Sequence, residues 1–145
     1  MTILDAYALI AFLIGGPAAA SVRAILREGD AAVATANLAE TLDISQRRFG
    51  LPVECAMAQL EPLLAGPLPA APLGCAIALR AAELRSRHCH RSQRPISLAD
   101  AVLPASASSG DRIATADSAV LALARAERLP SLALPELNNV LGSCG

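Results

Sequence analysis

Four acids stand out by type and spacing: Asp5 in ILDAYALIAFL, Glu40 in NLAETL, Asp100 in ISLADAVLPASA and Asp117 in RIATADSAV. Each falls at or near the start of a helical pattern, and three have a short apolar run just upstream. Carboxylates gathered in one crevice repel each other, and without protons or a cation some must lose their charge. A hard divalent ion such as Mg²⁺ removes that conflict, because it is held by a few carboxylates, water and substrate phosphates. The chemistry it brings is phosphodiester hydrolysis: a polarised phosphoryl oxygen and a bound water of lowered pKa. A plainer use competes at every position. Asp5 and Asp117 are suited to cap helices, and Ser97-Leu98-Ala99-Asp100 and Asn37-Leu38-Ala39-Glu40 both have capping-box spacing.

Bringing the four together requires a sheet whose strands end on one edge. The chain supplies a suitable pattern. Residues 2–4 form a short apolar run, and residues 6–13 a helix too apolar for the surface, stopped by Gly15, Gly16 and Pro17. A helix over 18–27, a strand over 31–34 and a helix carrying Glu40 follow. Residues 53–65 read as a helix bent or ended early by Pro62, and the proline-rich 66–74 holds at most a short edge strand. Residues 75–88 form an amphipathic helix with Ile77, Leu79, Ala82 and Leu84 on its apolar face. Another helix spans about 97–108, kinked or shortened by Pro104, then a strand 112–115, a helix 117–128 and a strand 131–134. Strands alternating with helices predict an α/β fold with a parallel sheet of four to five short strands between helical layers. Acids that follow several of its strands then meet outside their carboxyl ends.

Bulk properties narrow the function classes. The 145 residues suit one domain, 1–145, with a core of Leu, Ile, Val and Ala, since aromatics are only 2%. A net charge of -1 argues against a whole-molecule attraction to nucleic acid. All 12 basic residues are arginine, so a P-loop, which needs its GK pair, is excluded. The apolar N-terminal region is broken by Gly15, Gly16 and Pro17 and lacks a basic leader, which predicts a cytoplasmic protein with no membrane span. Cys55, Cys75, Cys89 and Cys144 show no CxxC spacing and read as buried or idle thiols, and His88, Cys89 and His90 supply at most part of a zinc site. Arg80, Arg85, Arg87, Arg91 and Arg94 form a basic stretch, either a solvated helix face or a contact for phosphates. Arg47 and Arg48 are weaker candidates. Asp43 and Asp111 read as solvated acids.

The four acids, in this order and at these separations, resemble the motif set of PIN-domain ribonucleases, especially the VapC-like toxins of bacterial toxin–antitoxin pairs. The resemblance covers nearly the whole chain. It implies a three-layer sandwich around a parallel sheet and a Mg²⁺ or Mn²⁺ site formed by Asp5, Glu40, Asp100 and Asp117, with the Thr115 hydroxyl in support. It also implies RNA cleavage that inhibits translation, a homodimer, and a small antitoxin that covers the active site. Tyr7 stands where relatives often carry a small hydroxyl residue. The competing expectation is a catalytically weak PIN-like binding or scaffold module whose acids act mainly as helix caps. An aspartyl-phosphate phosphatase using Asp5 as nucleophile is disfavoured, because Tyr7 occupies the place of the second Asp such enzymes usually carry.

Overall fold

The computed structural model describes residues 1–89 and 95–137. Five strands form one parallel sheet: β1 (Thr2–Leu4), β2 (Ala31–Ala34), β3 (Ala70–Ala71), β4 (Arg112–Thr115) and β5 (Ser131–Ala133), in the order β3-β2-β1-β4-β5. Seven helices accompany them among the described residues: α1 (Ala6–Ile14), α2 (Ala19–Glu28), α3 (Thr35–Phe49), α4 (Val53–Leu64), α5 (Cys75–His88), α6 (Leu98–Ala105) and α7 (Ser118–Ala126). The chain starts in the middle of the sheet, builds outward to β3, then crosses to the other side of β1 for β4 and β5. That reversal opens a crevice at the carboxyl ends of β1 and β4, where parallel sheets hold ligands.

The period-two alternation of each strand divides the core. Leu4, Val33 and Ala114 lie in one row across the sheet and pack against Ala8, Leu9, Val22 and Ile25 of α1 and α2. Ile3, Ala32 and Ile113 form the adjacent row on the opposite face and pack against Leu103, Val120 and Ala124 of α6 and α7. The three expected layers are therefore present. With strands of two to four residues, each face of the sheet is only a few side chains deep, so small Ala and Val residues let the helices approach closely.

Several expectations need correction in detail. No residue separates β2 from α3, so Ala34 is the capping residue and contributes no side-chain bond. Asn37 consequently falls inside the helix and is buried, and the expected Asn37–Glu40 capping box does not form. Proline 62 neither bends α4 out of helical geometry nor stops it before Leu64. Pro104 lies inside α6, which ends one residue later and short of the expected 108. Pro104 has no N–H to give the Asp100 carbonyl four residues back, so the last turn of α6 lacks that bond. On α5 only Ala81 and Leu84 are buried, whereas Leu79 is 64% exposed and Ala82 faces solvent, because the packing against α6 runs along a narrower stripe than the pattern suggested. No single helix among the described residues is long and apolar enough to cross a membrane.

Candidate active site

Asp5 is the first residue after β1 and the N-cap of α1. Its backbone is extended, its N–H continues the sheet to the Ala114 carbonyl at 3.3 Å, and its Oδ1 accepts the Ala8 N–H at 2.7 Å. Gly15 stops the helix in the left-handed conformation (φ 70°), which a residue with a Cβ adopts only with strain. Asp117 follows β4 by two residues and caps α7, its Oδ1 accepting the Ala119 and Val120 N–H groups at 2.7 and 3.2 Å. Between them stands Thr115, fully buried, whose Oγ1 accepts the Asp117 N–H at 3.0 Å and whose hydroxyl favours the charged form of Asp5. Asp100 enters from the first turn of α6, held by the expected reciprocal box: its N–H donates to Ser97 Oγ at 3.0 Å and its Oδ2 accepts the Ser97 N–H at 2.8 Å. Glu40 projects from the middle of α3, half-buried and free of a cap role.

All four acids line one cleft of about 980 Å³. Its electrostatics are strained. Burial raises the Asp5 carboxyl from the usual 3.8 to about 7, against hydrogen bonds from Thr115 and Ala8 that favour the charged form, and the charges of Asp100 and Glu40 add to the rise. Burial also raises Glu40, with further repulsion from Asp100 and Asp43. The charge of Asp100 thus opposes the ionisation of both Asp5 and Glu40 across a space open to solvent.

The PIN domain family matches residues 2–133. The chain belongs to the PIN-domain family. Three solved structures share the fold. VapBC from Salmonella typhimurium, in a DNA-bound complex, is 16% identical with a TM-score of 0.68 over 91% of this chain and 96% of that one. FitAcB from Neisseria gonorrhoeae is 22% identical, TM-score 0.62, over 91% and 96%. VapC20 from Mycobacterium tuberculosis, a toxin that cleaves the sarcin–ricin loop, is 16% identical, TM-score 0.59, over 93% and 90%. No curated protein matches the chain by sequence.

The donor set of this PIN domain suits a hard divalent cation. Among the described residues no three carboxylate, His or Cys side chains close on a single point. An ion in this cleft would therefore need water and substrate phosphate to complete its octahedron around one or two carboxylates. Asp5, Asp100 and Asp117 each commit one oxygen to a helix N-terminus, so capping and ion binding use different atoms of the same side chain. A cation beside Asp5 would also relieve the repulsion that raises its pKa.

The cleft holds residues that the motif reading underweighted. Glu136 is a fifth acid, three residues beyond β5, and the rule that pointed to Asp5 and Asp117 applies to it equally. Arg48 is the sole base in the lining among the described residues and makes no hydrogen bond there. Asn37, Glu40, Ile44 and Arg48 recur at helical spacing, so the face of α3 that carries Glu40 already points to Arg48. Tyr7 also lines the cleft, and its hydroxyl donates to the Pro135 carbonyl at 2.8 Å, fastening the segment that carries Glu136.

The arginines of α5 lie outside this lining. Arg80 donates to the Ala107 carbonyl at 2.9 Å, Arg85 to the Ile96 carbonyl at 3.0 Å, and Arg87 pairs with Glu127 at 3.0 Å. Arg91, Arg94, His90 and Cys144 fall outside the described residues. His88 is engaged with the same Glu127 at 2.6 Å, and Cys89 packs beside Ile96. Asp43 pairs with Arg47 at 2.8 Å on the surface, while Asp111 accepts the Ser108 N–H at 2.7 Å near the opposite edge of the sheet.

Proposed function

We propose that this PIN domain is a Mg²⁺- or Mn²⁺-dependent endoribonuclease toxin that hydrolyses RNA phosphodiester bonds and so inhibits translation. The observation that carries the reading is the convergence of Asp5, Glu40, Asp100 and Asp117 on one cleft, with Asp5 raised to about 7 by burial and by its acidic neighbours. Asp5, Glu40, Asp100 and Asp117 would hold the ion together, one or two of them directly and the others through its waters. When bound, the ion polarises the scissile phosphoryl group and acidifies a water. Thr115 keeps Asp5 and the start of α7 in fixed relation, so that the carboxylates need little rearrangement on binding. Arg48 meets the RNA backbone inside the cleft, whereas Arg80, Arg85 and Arg87, already engaged by Ala107, Ile96 and Glu127, and with them Arg91 and Arg94, contribute at most weak outer phosphate contacts.

In this reading residues 1–145 act as one cytoplasmic domain, paired as a homodimer and neutralised by a small antitoxin that covers the acidic cleft. The VapBC and FitAcB likeness supports that partner class. Purified protein incubated with RNA should produce discrete fragments with Mg²⁺ or Mn²⁺ and none with EDTA. Metal-independent cleavage, or intact RNA under every divalent condition, contradicts the proposal.

A second reading rests on the caps themselves. Asp5, Asp100 and Asp117 do satisfy helix N-termini, and a PIN-like binding module needs nothing more from them. Divalent binding with no cleavage of any RNA tested supports this alternative.

A further inference from the structure

Asn37 lies on α3 one turn before Glu40, in the wall of the acidic cleft, and is only 1% exposed. Its Nδ2 donates to the Ala99 carbonyl at 3.3 Å. That carbonyl belongs to the peptide leading into Asp100, and the other end of the same peptide, the Asp100 N–H, is held by Ser97. Ser97 belongs to the same turn as Asp100, so the bond from Asn37 ties Asp100 to the helix that carries Glu40. The direction of the amide is fixed by chemistry, since a carbonyl can only accept. Asn37 Oδ1 is therefore turned away from Ala99, and it is buried with no hydrogen-bond partner among the described residues.

An unpaired buried amide oxygen is destabilising, and native proteins rarely keep one without a use. Thr41 offers no relief, because its hydroxyl donates to the Asn37 backbone carbonyl at 2.7 Å. We infer that Asn37 is a positioning residue that sets the spacing of Glu40 and Asp100 through Ala99, and that its Oδ1 accepts a hydrogen bond from a water of the hydrated divalent cation held by those acids. The inference rests on the divalent-cation reading above and deepens it. A cation's water is a donor, not an acceptor, which suits the one atom of the amide left unused. Outer partners of this kind tune an ion's affinity without touching it.

Ser45 supplies an internal control. It is on the same helix, fully buried, and its Oγ is also without a partner, but it does not line the cleft. Mn²⁺ affinity measured by calorimetry on wild type, Asn37→Ala, Asn37→Leu and Ser45→Ala separates the roles. Leu keeps most of the volume if Ala proves too disruptive. Both Asn37 variants should bind Mn²⁺ about 10- to 100-fold more weakly, with Ser45→Ala matching wild type. Asn37 variants that bind Mn²⁺ as wild type does overturn this inference alone, as does an equal loss in Ser45→Ala. A wild-type protein that binds no Mn²⁺ overturns the divalent-cation reading itself.

Discussion

The Oγ1 of Thr115 takes the backbone N–H of Asp117 at 3.0 Å, and the same hydroxyl favours the charged form of the Asp5 carboxyl. One fully buried side chain thereby links the acid after β1 to the acid after β4. Thr115→Val keeps the shape and removes both interactions. It should cost about 1–3 kcal/mol in denaturant unfolding and raise the Asp5 pKa further, since an interaction favouring the charged form is lost. An Asp5 carboxyl titrating unchanged by NMR in the variant contradicts the link.

The raised Asp5 pKa also sets a pH dependence. Folded Asp5 holds its proton up to about 7, whereas the unfolded chain releases it near 3.8. The folded state therefore binds the extra proton between those values, and stability from this group is full below 3.8 and declines as pH rises towards 7. Asp5→Asn removes the decline. Without divalent ions the variant should gain on wild type by on the order of 1.4 kcal/mol per pH unit across that window, and added Mg²⁺ should narrow the gap. A stability difference that is flat with pH contradicts it.

Metal affinity should follow the same titration. An ion must displace the Asp5 proton, so Mn²⁺ binding should tighten with pH up to about 7 and level off above it. Calorimetry at several pH values, with buffers of different protonation enthalpy, reads both the affinity and the proton released. Binding with no release at pH 6 contradicts it.

Arg48 and Arg87 make opposite predictions. Arg48 faces the cleft without a partner among the described residues, whereas Arg87 is paired with Glu127. Arg48→Ala should raise KM for RNA several-fold and lower the salt dependence by roughly one phosphate contact, with Arg87→Ala changing both far less. Equal effects from the two would assign RNA contact to α5 instead.

Much of this architecture is legible in the residues. β1, β2 and β4 are short, mostly apolar runs, β1 followed at once by an acid and β4 two residues before one, and Asp5, Asp100 and Asp117 carry recognisable capping chemistry. What escaped depends on which side of an element faces a neighbour. Asn37 has capping spacing, yet β2 runs straight into α3 and turns it into an interhelical bond with Ala99. Leu79 fits an apolar stripe, yet α5 touches α6 along a narrower line. Glu136 sits in a stretch without periodicity, and the Leu134 N–H on the Thr115 carbonyl and the Tyr7 hydroxyl on the Pro135 carbonyl bring it beside the other acids.

The central claim is that the four acids form a cation-dependent nuclease site and not merely four helix caps. Cleavage of a defined RNA by wild type and Asp5→Asn, each verified as folded and assayed at saturating Mn²⁺, tests it most directly. Asparagine keeps an oxygen able to cap Ala8 and removes the charge. The account predicts metal-dependent cleavage by wild type and a loss of about a hundredfold or more in the variant, corresponding to about 3 kcal/mol of transition-state stabilisation. Equal cleavage by the two proteins would contradict it.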